Sequence, residues 1–457
     1  MASENLTHNN HLNGDATTNR HVSKKLKLAP PALITDAEIQ SEFSHHDPAV
    51  ARINNGSFGC CPASVIAAQR RWQLLNLRQP DHFYFNELKK GILHSRTIIK
   101  DLVNAEHIDE ISIVDNATTA AAVVLQQTAW AFHDGRFKKG VDAVVMLHYA
   151  YGSVKKSVEA YVSRAGGDVI EVPLPFPLTS PNEIITEFRC ALERAKFGGK
   201  TVRLAVIDHV TSMPSVVIPV KELVRICREE SVEKVFVDAA HGIGCTSVDM
   251  QEIGADFYTS NLHKWFFCPP SIAFLYSRKS SSSSDLHHPV VSHEYGNGLA
   301  VESAWIGNRD YSAQLVVPDV VEFVKRFEGG IEGIKRRNHE RVLEMGEMLA
   351  AAWGTHLGSP PEMCASMAMV GLPPCLGIKG DLDVARLRTH LRNEFGVEVP
   401  IYFRAPATAE DGEVIGVVTG YARISHQVYN KVEDYYKFRD AINQLVNSGF
   451  TCAQLST

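Results

Sequence analysis

The chain has 457 residues, 45% hydrophobic and 21% charged, a composition that suits a soluble globular protein of two or three domains with a sizeable core. A net charge of −6 gives no broad electrostatic footprint for nucleic acid or an anionic membrane, and no apolar run approaches the roughly 20 residues of a membrane span. Nine cysteines, odd in number and without paired spacing, argue for a reducing compartment rather than a disulfide framework, and most read as small buried hydrophobes.

From Met1 to about Ile34 the chain is rich in Asn, Thr and His and poor in large apolar residues, so it reads as a disordered tail, residues 1–34. It has no hydrophobic core of a secretory signal. Lys24-Lys25-Leu26-Lys27 is either a weak nuclear-import signal or a solvated charge run. Glu4 and Asp15 disfavour a transit peptide without excluding one, so the expected location is cytoplasmic or nuclear, with an organelle left open. The rest divides into an N-terminal segment (35–85), a large domain (86–317) and a small C-terminal domain (318–457).

Arg52-Ile-Asn-Asn-Gly-Ser-Phe-Gly reads as a tight turn, since Gly56 and Gly59 permit backbone conformations that other residues resist. Helical spacing of apolar residues continues to Asp101. Ile111-Ser-Ile-Val reads as a strand, and Asp115-Asn-Ala-Thr-Thr-Ala opens a helix. A helix N-terminus of small and hydroxyl residues offers N–H groups to a phosphate, with Asn116, Ala117 and Thr118 as the cradle; plain capping by Asp115 or Asn116 is the other reading. Further strands follow at Ala143-Val-Val-Met-Leu, before His148-Tyr-Ala-Tyr, and at Arg203-Leu-Ala-Val-Ile, before Asp208-His-Val-Thr-Ser. Strands alternating with helices give βαβ units and a largely parallel sheet.

Two more apolar runs end in reactive residues. Lys234-Val-Phe-Val stops at Asp238, and Asp256-Phe-Tyr-Thr-Ser-Asn stops just before His263-Lys264. As parallel strands of one sheet they would bring a carboxylate and an amine to its carboxyl edge, where open α/β sheets bind ligands. That pair suits pyridoxal phosphate, which needs a lysine to hold it as a Schiff base and a carboxylate to keep its ring nitrogen protonated. The alternative makes Asp238 a turn cap and Lys264 a solvated lysine.

Past Tyr276, five serines, Ser280 to Ser284, mark a mobile loop by composition. His287, His288 and His293 show no ligand spacing, so no metal is expected. From about Pro318 the pattern turns helical, with a break at Glu328-Gly329-Gly330 and an amphipathic run to Trp353. Ala365-Ser-Met-Ala-Met-Val and Gly396-Val-Glu-Val-Pro-Ile belong to a smaller α+β domain that ends in Tyr421-Ala-Arg-Ile-Ser-His-Gln-Val-Tyr-Asn.

DAAHGIG followed by SNLHKWFFCPPSIAFL resembles the class V aminotransferase family of fold-type I pyridoxal phosphate enzymes, in its isopenicillin-N-epimerase-like branch. Within that branch the likeness is strongest to plant enzymes that release sulfide from L-cysteine, and it runs from about Ile53 to Asn430. The resemblance implies a fold-type I architecture, a homodimer, Lys264 as the cofactor lysine and Asp238 as the ring-nitrogen acid. It also implies Asn55 and Gly56 as substrate contacts, and it places the phosphate loop at Asn116, Ala117 and Thr118. Tyr149 would stack on the ring, although a core tyrosine is an equal alternative. His209, Ser212 and His241 would lie at the cofactor's phenolic edge, and His263 would also contact the cofactor. Asn308 stands where threonine is usual in the segment that reaches the neighbouring subunit's phosphate. Arg423 matches the arginine that clamps the substrate α-carboxylate, a bidentate role that lysine does not fill.

The implied reaction is elimination of L-cysteine to sulfide, pyruvate and ammonia, with an epimerase or aminotransferase of the same family as the alternative. A cysteine desulfurase needs a mobile nucleophilic cysteine shortly before the carboxylate-binding arginine. Residues 401–421 contain none, which disfavours persulfide transfer.

Overall fold

A computed structural model describes residues 33–279, 286–405 and 417–455. The basic cluster, all but the last two residues of the expected tail, and the serine run lie outside the described residues.

Seven strands form the large sheet: β1 Ile111–Val114, β2 Asp142–Leu147, β3 Asp168–Val172, β4 Thr201–Asp208, β5 Lys234–Asp238, β6 Phe257–Asn261 and β7 Ala273–Ser277. They lie side by side in the order β1-β7-β6-β5-β4-β2-β3. Neighbours from β6 across to β3 are parallel, and β7 runs antiparallel to both β6 and β1. The central strands are largely buried because helices cover both faces; Val235, Phe236 and Val237 of β5 are completely buried.

Helix α1, Ala117–His133, leaves the end of β1. Its cap is Asn116, whose side chain accepts the Thr119 N–H at 2.9 Å, and its small residues Ala120, Ala121 and Val124 pack without exposure.

A second, antiparallel sheet joins β8 Met367–Gly371, β9 Ile401–Phe403 and β10 Gly420–Ser425 in the order β9-β10-β8. It is backed by α2 Gly330–Trp353, α3 Asp381–Phe395 and α4 Val432–Asn447 over a core that includes Val342, Leu349, Val370, Ile424 and Phe438. The expected break before α2 is a left-handed pair, Gly329 and Gly330 at φ 69° and 57°, a conformation glycine adopts without strain. Ala51–Arg52 pairs in parallel with Val397–Glu398, tying the N-terminal segment to this part of the chain. Strands β4, β5 and β6 end at the middle of the large sheet, so their final residues share one edge.

Candidate active site

A cavity of about 180 Å³ opens at that edge. Asp208 and Asp238 enter it from β4 and β5, Asn261 from β6, Lys264 and His263 from the turn after β6, and Asn116, Ala117 and Thr118 from the start of α1. The lysine and the acid proposed from sequence therefore face the same space.

Asp238 is buried, and one carboxyl oxygen accepts the Ala240 N–H at 3.1 Å. Burial raises its pKa, while that hydrogen bond and Lys264 oppose the rise. Lys264 is pushed down to about 8, chiefly by burial and then by the positive Arg423. Its Nζ lies 3.2 Å from His241 Nε2, and the indole of Trp265 donates to His241 Nδ1 at 3.2 Å. The Lys264 carbonyl accepts from Asn55 Nδ2 at 3.0 Å. Burial also holds the His263 imidazole down to about 4. Its Nδ1 lies 3.1 Å from the Ile272 carbonyl.

At the start of α1, Asn261 Oδ1 accepts the Ala117 N–H at 2.9 Å, and the Thr118 hydroxyl pairs with Ser153. The positive end of a 17-residue helix thus faces the cavity.

Arg423 lies just behind the wall. Its Nη1 donates to the Ser212 carbonyl at 2.9 Å, and its Nη2 donates to Asn54 Oδ1 at 3.0 Å and Ser57 Oγ at 2.6 Å. Ser57 and Ser212 themselves line the cavity. Among the described residues no carboxylate pairs with this buried guanidinium, and its Nε has no partner. An unpaired buried cation is costly unless it serves an anionic ligand.

Several expected residues lie elsewhere. Tyr149 does not face the cavity: its ring packs in the core with Phe176, and its hydroxyl donates to the Leu174 carbonyl at 2.9 Å. The core reading of Tyr149 is the one the structure shows, and Tyr151, two residues on, lines the cavity instead. His209 also points away, with Nδ1 2.9 Å from the Tyr258 hydroxyl. Asp208, Val210 and Ser212 take the cavity side. The His209 placement follows from the alternation of an extended chain: Asp208, Val210 and Ser212 share the cavity side, and His209 between them does not.

Asn55 and Gly56 do not line the cavity either. Asn55 is buried and holds the Lys264 backbone, while a side chain on Gly56 would meet Met367 Sδ at 2.4 Å. Ser57 is the member of that turn at the cavity. Asn308 accepts from the Tyr84 hydroxyl at 2.5 Å and is not part of this wall.

The residues present fit pyridoxal phosphate. There is a lysine of reduced basicity, a carboxyl group that burial leaves with unmet hydrogen-bonding capacity at Asp208 Oδ2, a second carboxyl beside it, and a helix N-terminus for a phosphate.

Residues 73–287 match the family model described as Aminotransferase class-V. The chain is 71% identical over 435 residues to the protein "Probable L-cysteine desulfhydrase, chloroplastic" of Arabidopsis thaliana, covering 95% of this chain and 90% of that one. It is 61% identical over 447 residues to the L-cysteine desulfhydrase of the same plant, covering 97% and 98%. The fold matches the solved structure of a C-DES mutant with glycine covalently linked to its PLP cofactor, at a TM-score of 0.65 and 16% identity, over 88% of this chain and 98% of that one.

Proposed function

The chain belongs to the class V aminotransferase family, and from that premise we propose that it is a pyridoxal-phosphate-dependent lyase that converts L-cysteine to sulfide, pyruvate and ammonia. Carrying the reading is one observation: none of the nine cysteines lines a cavity built around a lysine and an acid. Cys245, packed beside Trp265, is buried and its thiol is pushed up to about 11, so it is a poor nucleophile. Without a thiol to accept sulfur, a persulfide has nowhere to form, and the sulfur leaves as sulfide.

When bound, pyridoxal phosphate supplies an electron sink that weakens the bond between the substrate α-carbon and its proton. Lys264, whose amine burial brings down to about 8, takes that proton at Nζ in its neutral form and can deliver it to the departing sulfur. Asp238 holds the proton of the ring nitrogen. Asn116, Ala117, Thr118 and His263 would hold the phosphate, and Arg423, reached past Ser57 and Ser212, would hold the substrate carboxylate. Tyr151, at the mouth, is placed to cover the ring.

We further read residues 86–317 and 318–457 as two domains, a division supported by their separate sheets. A homodimer is supported by large apolar side chains left in solvent, with Phe58, Leu77 and Phe85 at 69%, 79% and 74% exposure. An active monomer on size-exclusion chromatography would overturn it. The expected location, cytoplasmic or nuclear with an organelle open, gains support for the last from the relative named chloroplastic.

The test is product analysis of purified protein with L-cysteine and no sulfur acceptor or reductant, against Lys264→Ala. Equal yields of sulfide, pyruvate and ammonia, absent in the variant, are expected. Racemised substrate, or turnover that needs a keto acid and gives no sulfide, would replace the lyase with an epimerase or aminotransferase.

A further inference from the structure

The indole N–H of Trp265 can donate a hydrogen bond and cannot accept one. It points at His241 Nδ1 from 3.2 Å in a fully buried setting, so Nδ1 presents its lone pair there. A neutral imidazole then carries its proton on Nε2, the atom 3.2 Å from Lys264 Nζ. The cationic form is opposed by burial first and then by Lys264, Arg423 and His263, which hold His241 well below its ordinary pKa.

The indole has little room to do otherwise. A Cβ on Gly56 would stand 3.4 Å from its ring, and one on Gly244 would meet the Trp265 carbonyl at 2.4 Å. Gly56 thus approaches the ring and Gly244 the backbone of Trp265, which is fully buried.

We propose that Trp265 is a positioning residue: it locks His241 in the Nε2–H tautomer and makes it a hydrogen-bond donor to the Lys264 amine when that amine is neutral, and to any anionic oxygen that takes the same place. A histidine so held has no lone pair to offer the cavity and cannot act there as a base. Proton abstraction then falls to Lys264 alone. The tautomer stands on these three side chains, and only its consequence for catalysis rests on the function proposed above.

The experiment is solid-state 15N NMR of the holoenzyme labelled at histidine, with the His241 signals identified by difference against His241→Gln. A protonated Nε2 and an unprotonated Nδ1 are expected from about pH 6 to pH 9. Trp265→Phe keeps the ring and removes the donor. It should populate the Nδ1–H tautomer and lower kcat by roughly tenfold, with KM changed less than twofold. A wild-type spectrum showing Nδ1–H or an imidazolium overturns the proposal, as does an unchanged tautomer in Trp265→Phe. If that variant does not fold, the wild-type spectrum still decides. A locked tautomer in an enzyme that gives no sulfide would retire the lyase reading and leave the positioning role standing.

Discussion

Asp208 and Asp238 end neighbouring parallel strands at the same register, so two buried carboxyl groups face one cavity side by side. Burial, and then the charge of Asp238, pushes the Asp208 pKa well above the ordinary 3.8. A carboxyl raised in this way binds its proton more tightly folded than unfolded. Stability is therefore lost as pH rises from about 3.8 toward the folded value and is flat above it. Asp208→Asn should remove that loss. Thermal unfolding of the cofactor-free protein should show the variant gaining on wild type as pH rises above 4, and a constant difference would refute the shared-charge account.

His209 gives the opposite slope. Buried against Tyr258 and held down to about 4, it stays neutral when folded but takes a proton near pH 6.5 when unfolded. Stability present above pH 6.5 is lost as pH falls toward 4, by about 1.4 kcal/mol per pH unit for this one group. Denaturant unfolding of His209→Gln should show a shallower acid slope than wild type.

Arg423→Lys keeps the charge behind Ser57 but loses the two-pronged grip on a carboxylate. KM for L-cysteine should rise at least roughly tenfold while kcat changes less. A fall in kcat alone would place Arg423 outside substrate binding.

Two glycines of the N-terminal turn should differ in cost. At Gly59, φ is 72° and a Cβ would lie 1.7 Å from the His263 carbonyl oxygen, so Gly59→Ala forces the backbone beside Lys264 to move. A loss of more than about 3 kcal/mol is expected. At Gly56 the obstacle is the flexible end of Met367, and about 1–3 kcal/mol is expected. Equal destabilisation in urea melts would contradict this ranking.

Much of this site could be read from the residues. Asp238 and Lys264 were legible because each closes a β-branched or aromatic run, and a strand end on a parallel sheet has a known edge to face. Arg423 and the start of α1 stand out by their motifs, and the structure puts the helix start at the cavity and Arg423 just behind its wall. Tyr149 and His209 misled because the motif gives their place in the chain but not the way each side chain points: the pleat after β4 turns His209 from the cavity, whereas Tyr149 lies in a turn where no such rule applies. Asn55 and Gly56 misled for another reason. A residue beside a site can serve the backbone that carries the catalytic group, and only packing against Trp265 and Met367 reveals that duty. Antiparallel β7 had no signal of its own, since its run Ala273–Ser277 is as apolar as the parallel strands beside it.

The hydrogen bonds that build the carboxylate pocket join residues very far apart in the chain: Arg423 to Asn54 across 369 positions, and Asn55 to Ser425 across 370. A ribosome that has finished the lysine-bearing sheet has therefore not yet made a working enzyme. Until the residues of β10 emerge, the nascent chain can hold a reactive amine with no grip on an amino acid, and truncated products inherit the same incapacity. The order of synthesis thus holds back until the end the arginine proposed to clamp the substrate.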